Sequence, residues 1–117
     1  MKHICVLNVK VKNWHLRALI DTGAGTSCIS SDLVARLNYR VVCSNKIVTL
    51  KTALSKRKCL LKWAIVPVKI KNTVYRLKLC VVDNLRTDII IGRSHCEKLN
   101  FEIKFSTGTI LIQGEQI

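Results

Sequence analysis

The feature that most restricts how this chain can fold is an internal echo. Val9-Lys10-Val11-Lys12-Asn13 returns as Val68-Lys69-Ile70-Lys71-Asn72, and Arg36-Leu37-Asn38-Tyr39 returns as Lys98-Leu99-Asn100-Phe101. The first pair reads as two hairpin turns and the second as the ends of two short helices. Between them the order is also shared: an apolar strand, a glycine-containing loop, then the helix. Two related half-units, each a hairpin, strand, loop and helix, explain this better than a chance echo of common strand residues.

The elements follow from alternation and punctuation. Ile4 to Ile20 alternates or runs apolar around a polar break at Lys12-Asn13, which predicts a hairpin leading into an apolar strand, Ala18 to Ile20. Ser30-Ser31-Asp32 offers helix N-caps ahead of Leu33-Val34-Ala35-Arg36-Leu37, spaced for about two helical turns. Ile47 to Ala53 and Cys59 to Ile70 predict two long strands joined by the basic segment Leu54 to Lys58, a projecting hairpin. Val74 to Val82 and Asp88 to Ile91 predict further strands, Ser94 to Leu99 a second helix, and Phe101 to Phe105 with Thr109 to Ile112 a terminal hairpin around Thr107-Gly108. The fold class is therefore mostly β with one or two short helices, in a single domain over residues 1–117 whose 49% apolar content suits one packed core.

Charge and cysteine content narrow the functions. Lys and Arg exceed Asp and Glu by 13, and twelve basic residues but no acid lie between Asp32 and Asp83. Such a surface attracts polyanions, so a weak nucleic-acid contact or an acidic substrate stands beside a merely solvated face. No nucleic-acid motif accompanies the charge, and two Trp, two Tyr and two Phe offer little for base stacking. Six scattered cysteines contain no CxxC pair, which argues against a metal site and for free thiols in a reducing compartment. No run approaches the roughly 18 apolar residues of a membrane span, and no secretory leader is visible, so a soluble chain is expected.

The chemistry sits in Ala18-Leu19-Ile20-Asp21-Thr22-Gly23-Ala24, which places a carboxylate at the end of an apolar strand before a sharp turn. Alone, Asp-Thr-Gly is also what a plain strand-ending turn looks like. Its context decides: Ile89-Ile90-Ile91-Gly92-Arg93 follows downstream, with the long hairpin between. Together these resemble the aspartic proteases of retroviruses and related retroelements, and Ser27-Cys28-Ile29 after the motif is more similar to those of plant pararetroviruses than to animal retroviral ones.

The resemblance implies a closed, mostly β, retropepsin-like protomer active as a two-fold homodimer, because one Asp-Thr-Gly supplies only half a carboxylate pair. Asp21 of each copy would be catalytic. Thr22, Gly23, Ala24, Gly92 and Arg93 would support the site, and Gly25 and Thr26 would contact substrate with the flap residues Ala53, Leu54 and Ser55. No cofactor or metal is implied. Two departures stand out: the flap tip lacks glycine, and Gly25-Thr26 occupies the place of the carboxylate that Arg93 would otherwise meet. Ala24, where two-lobed relatives carry a hydroxyl, implies activity nearer about pH 5 to 7 than about pH 2 to 3. The expected substrate is a peptide or viral or retroelement polyprotein, met in host cytoplasm or a virion or virus-like particle interior. A non-catalytic dimerisation or peptide-binding domain and a basic nucleic-acid-binding β domain are the alternatives.

Overall fold

A computed structural model describes residues 4–51, 56–104, 106–107 and 109–116. Strands β1 (Ile4–Val11) and β2 (Trp14–Asp21) form the first hairpin, followed by β3 (Cys28–Ser30) and helix α1 (Ser31–Arg36). Strands β4 (Val42–Lys51) and β5 (Lys56–Ile70) make the long hairpin, and β6 (Thr73–Val82), β7 (Ile89–Gly92) and helix α2 (Arg93–Lys98) complete the second half. Strands β8 (Phe101–Lys104), β9 (Thr109–Ile112) and β10 (Glu115–Gln116) form a separate antiparallel sheet.

The main sheet runs β1-β2-β7-β3-β6-β5-β4, and Lys10 of β1 meets Lys69 of β5, so the sheet closes on itself. Alternation drives the closure. Leu7, Val9, Val11, Leu16, Ala18 and Ile20 all face the same buried cluster as Val66, Val68, Leu77 and Leu79. Burying each of these Val, Leu and Ile side chains stabilises the fold by about 1.5–3 kcal/mol.

The duplication is physical as well as textual. Both echoed hairpins turn through a lysine in the left-handed region, Lys12 at φ 54° and Lys71 at φ 57°. Both helices end on a left-handed asparagine, Asn38 at φ 62° and Asn100 at φ 55°, a residue type that tolerates this conformation. In α1 the Ser30 hydroxyl caps the helix by accepting the Leu33 N–H, as the Ser-Ser-Asp string predicts.

Several boundaries differ from the sequence reading. The short strand β3 was not foreseen, nor was β10. Strand β4 starts at Val42, ahead of Ile47, because an irregularity between Cys43 and Ile47 shifts its pairing and breaks the alternation that marks a strand. Strand β5 starts at Lys56, so the cations placed in the connecting turn belong to a strand. The flap-tip residues Ala53, Leu54 and Ser55 lie outside the described residues, as do Phe105 and Gly108 of the terminal hairpin. Cysteines divide more evenly than their apolar settings suggest: none of the six is in a disulfide, with Cys28, Cys80 and Cys96 buried and Cys43 exposed. Among the described residues no helix is long and apolar enough to cross a membrane.

Candidate active site

Strand β7 positions the site. It lies parallel to β2, pairing Ala18 with Ile89 through Asp21 with Gly92, and antiparallel to β3 on its other edge. Ile89 and Ile91 enter the main core, while Ile90 enters a second apolar cluster with Ala24, Cys28, Cys80 and Val82. A strand covered on both faces needs a continuous apolar run, which Ile89-Ile90-Ile91 supplies. Leu19, Val48, Cys59 and Leu61 pack on the second cluster, so the base of the long hairpin lies over the strand that ends in Asp21.

Asp21 is 1% exposed. Its Oδ1 accepts the Gly23 N–H at 2.9 Å and its carbonyl accepts the Ala24 N–H at 3.1 Å, which folds the loop back on the strand end. Ala24 is buried beneath it, whereas Thr22, Gly23, Gly25 and Thr26 are exposed. The loop thus holds its carboxylate by its own backbone and offers its remaining residues to solvent or to a partner.

The second half grips this loop through Gly92 and Arg93. The Arg93 N–H donates to the Ala24 carbonyl at 2.7 Å. A Cβ on Gly92 would sit 2.7 Å from the Ala24 carbonyl oxygen and 2.8 Å from Thr26 backbone atoms. Its φ of −87° suits any residue, so close approach, and not backbone freedom, demands glycine here. The Arg93 side chain does something other than the resemblance implies. It is 64% exposed and makes a loose 3.9 Å contact with Glu97 one helical turn on, because Gly25 and Thr26 offer it no carboxylate.

A brace that the sequence reading missed stands behind the loop. Ser27, 1% exposed, accepts the Gly92 N–H at its Oγ at 2.8 Å, and that oxygen lies 2.6 Å from His95 Nδ1 of α2. The Ser27 carbonyl also accepts the Cys80 N–H at 2.9 Å. With Gly92 donating to the hydroxyl oxygen, the arrangement that satisfies all partners has Ser27 donating to an unprotonated Nδ1 and the His95 proton on Nε2. Burial, aided by the Lys98 charge, lowers the His95 pKa and favours that neutral form. The available signals were a hydroxyl inside the otherwise apolar run Ser27-Cys28-Ile29 and a histidine shortly after Gly92.

Next to His95, burial and then the charges of Glu97 and Asp21 push the Cys96 thiol up to about 11, so it stays protonated and unreactive. Burial and Cys59 raise the Cys80 thiol also, against a lowering by Lys78. Among the described residues no group of three His, Cys, Asp or Glu is placed to hold a metal ion.

Comparison with known proteins agrees with this geometry. Residues 17–117 match the model of the PEG10/RTL1 protease domain. The DNA damage-inducible protein 1 of Neurospora crassa is 22% identical over 98% of this chain, which spans about a quarter of that relative's length. The retroviral protease-like domain of Ddi1 from Leishmania major superposes with a TM-score of 0.73 at 12% identity, over 99% of this chain and 93% of that one. The EIAV protease, solved with the inhibitor HBY-793, gives a TM-score of 0.64 at 20% identity, over 90% of this chain and 94% of that one. The fold is retropepsin-like, as the Asp-Thr-Gly context implied.

Proposed function

Since the chain belongs to the PEG10/RTL1 protease domain family, we propose that it is an aspartic endopeptidase whose active site forms between two copies, each contributing Asp21. The observation that carries this reading is the fixed loop end: a buried carboxylate held by the Gly23 amide, on a turn locked by Gly92 and Arg93.

Peptide hydrolysis needs a base to take a proton from water and an acid to give one to the departing amine. Two carboxylates about 3 Å apart cannot both ionise, so they share one proton and perform both tasks. A single protomer has one such Asp, and a two-fold axis supplies the second. The exposed Thr22 would hydrogen-bond across that axis, and Gly23 would leave room for a substrate backbone. Gly25, Thr26 and the flap residues Ala53, Leu54 and Ser55 would hold an extended peptide, with the β4–β5 hairpin closing over it. The substrate proposed is a viral or retroelement polyprotein, cleaved in host cytoplasm or inside a particle.

Peptide-library cleavage between about pH 4 and 7 tests this. Activity that is inhibited by pepstatin and lost in a folded Asp21→Asn variant supports the proposal. Turnover that survives Asp21→Asn, or none in a folded dimer, refutes it.

A further inference from the structure

The β1–β2 hairpin turns one face away from the core. Because strand side chains alternate, Val6, Asn8 and Lys10 of β1 share this outer face with His15, Arg17, Leu19 and Asp21 of β2. The register sets them in rungs, with Val6 opposite Leu19, Asn8 opposite Arg17, and Lys10 opposite His15. Lys69 of β5 lies beside Lys10.

Two hollows occupy that face. One, of about 330 Å³, is bounded by Val6, Leu19, Arg17, Arg86 and Asp88, and the other, of about 220 Å³, by Asn8, Lys10, His15, Lys69 and Lys71. Arg17 of the first hollow is paired across the ladder with Asn8 of the second. Moving away from Asp21, the lining passes from apolar Leu19 and Val6 to the cations Arg17 and Arg86, then to Lys10, Lys69 and Lys71. Asp88 is the one acid lining either hollow among the described residues.

The ion pairs Lys62–Asp83 and Arg93–Glu97 both lie away from this face. Arg17, Arg86, Lys10 and Lys69 thus set four cations against the single carboxylate of Asp88 along one track, and their fields reinforce one another. Six residue steps separate Asp21 from His15, about 20 Å of extended chain. Among the described residues no Phe, Tyr or Trp lines either hollow, so they offer none of the stacking platforms that single-stranded nucleic acid uses.

We infer that this track is a binding site for an acidic segment of the peptide substrate, lying beyond the residues at the scissile bond. The occupant is an extended chain with apolar side chains near Asp21 and Asp or Glu farther out. The inference rests on the proteolytic reading of Asp21, but its binding step is measurable without turnover.

The test uses the Asp21→Asn protein and fluorescence anisotropy with two labelled peptides sharing one apolar core, one tailed with Glu and one with Gln, beside a single-stranded oligothymidine. The Glu peptide should bind about tenfold tighter at low salt, with an advantage that shrinks as salt rises. Lys10→Glu with Lys69→Glu should abolish that advantage, whereas the same charge change at the exposed Arg36 and Arg40 should keep it. Equal binding of the Glu and Gln peptides, equal losses in both double variants, or tighter oligothymidine binding lost with the Lys10 and Lys69 changes would overturn the site. Wild-type cleavage separates the two claims. Turnover that favours neither tail refutes the acidic track alone, and a track that binds the Glu peptide in a protein that cleaves nothing refutes the proteolysis alone.

Discussion

Gly92 has no space for a side chain, and that constraint turns a common residue into a structural requirement. Gly92→Ala forces a methyl group against the Ala24 and Thr26 backbone, so the Asp21 loop must move. Unfolding in denaturant should show a loss of about 1–3 kcal/mol, typical of overpacking. His95 gives a pH signature. Its pKa is lowered in the fold, so its neutral form contributes stability that is complete above the ordinary value of 6.5 and drains away as pH falls through the lowered one. Between about pH 7 and 5, wild-type stability should therefore fall more steeply than that of His95→Gln, measured by urea midpoints at each pH. Asp21 was legible in the sequence because its signal is contiguous: an apolar strand, an acid and a turn. The Ser27–His95 brace was not, since its members stand 68 residues apart and only the closure of β3 against β7 brings them together. Arg93 was read for its guanidinium, yet the loop is held by its backbone N–H, which any residue but proline would supply.

Hairpins and helices were legible wherever side-chain period and turn chemistry agreed. Val9 to Asn13 and Val68 to Asn72 turn as their echo predicts, and α1 begins at its Ser30 cap. Strand β3, three residues long, is too short to carry a pattern of its own, and it forms because β6 and β7 both offer it an edge. In the long hairpin, the cations Lys56, Arg57 and Lys58 follow one another at the start of β5, and like charge gathered near the tip weakens the ladder there. Lys56→Glu should steady this hairpin, and slower amide exchange along β4 and β5, with rates in β1 and β2 unchanged, is the result that checks it. A hairpin that must open and close over a peptide is served by such marginal pairing, which links the cations near its tip to the lid role proposed for it.

At the scale of the whole molecule, duplication and symmetry act at two levels. Within the chain, two half-units interlock so that the glycine of one secures the aspartate loop of the other. Between chains, the proposed pair of Asp21 residues requires a second copy, because each protomer brings one Asp-Thr-Gly. Closure of the sheet through Lys10 and Lys69 leaves the C-terminal strands β8, β9 and β10 paired with one another in their own sheet. The sequence showed the two halves and the terminal hairpin of β8 and β9, but not β10, which lies in the polar run after Ile112. The most direct test of a shared site is a mixing experiment. Wild-type and Asp21→Asn protomers are exchanged at constant total concentration, and peptide cleavage is read against the wild-type fraction. If both aspartates of a dimer are needed, activity follows the square of that fraction and falls to about one quarter in an equal mixture. Activity that falls in simple proportion, to about one half, would contradict the account, because each protomer would then carry a complete site of its own.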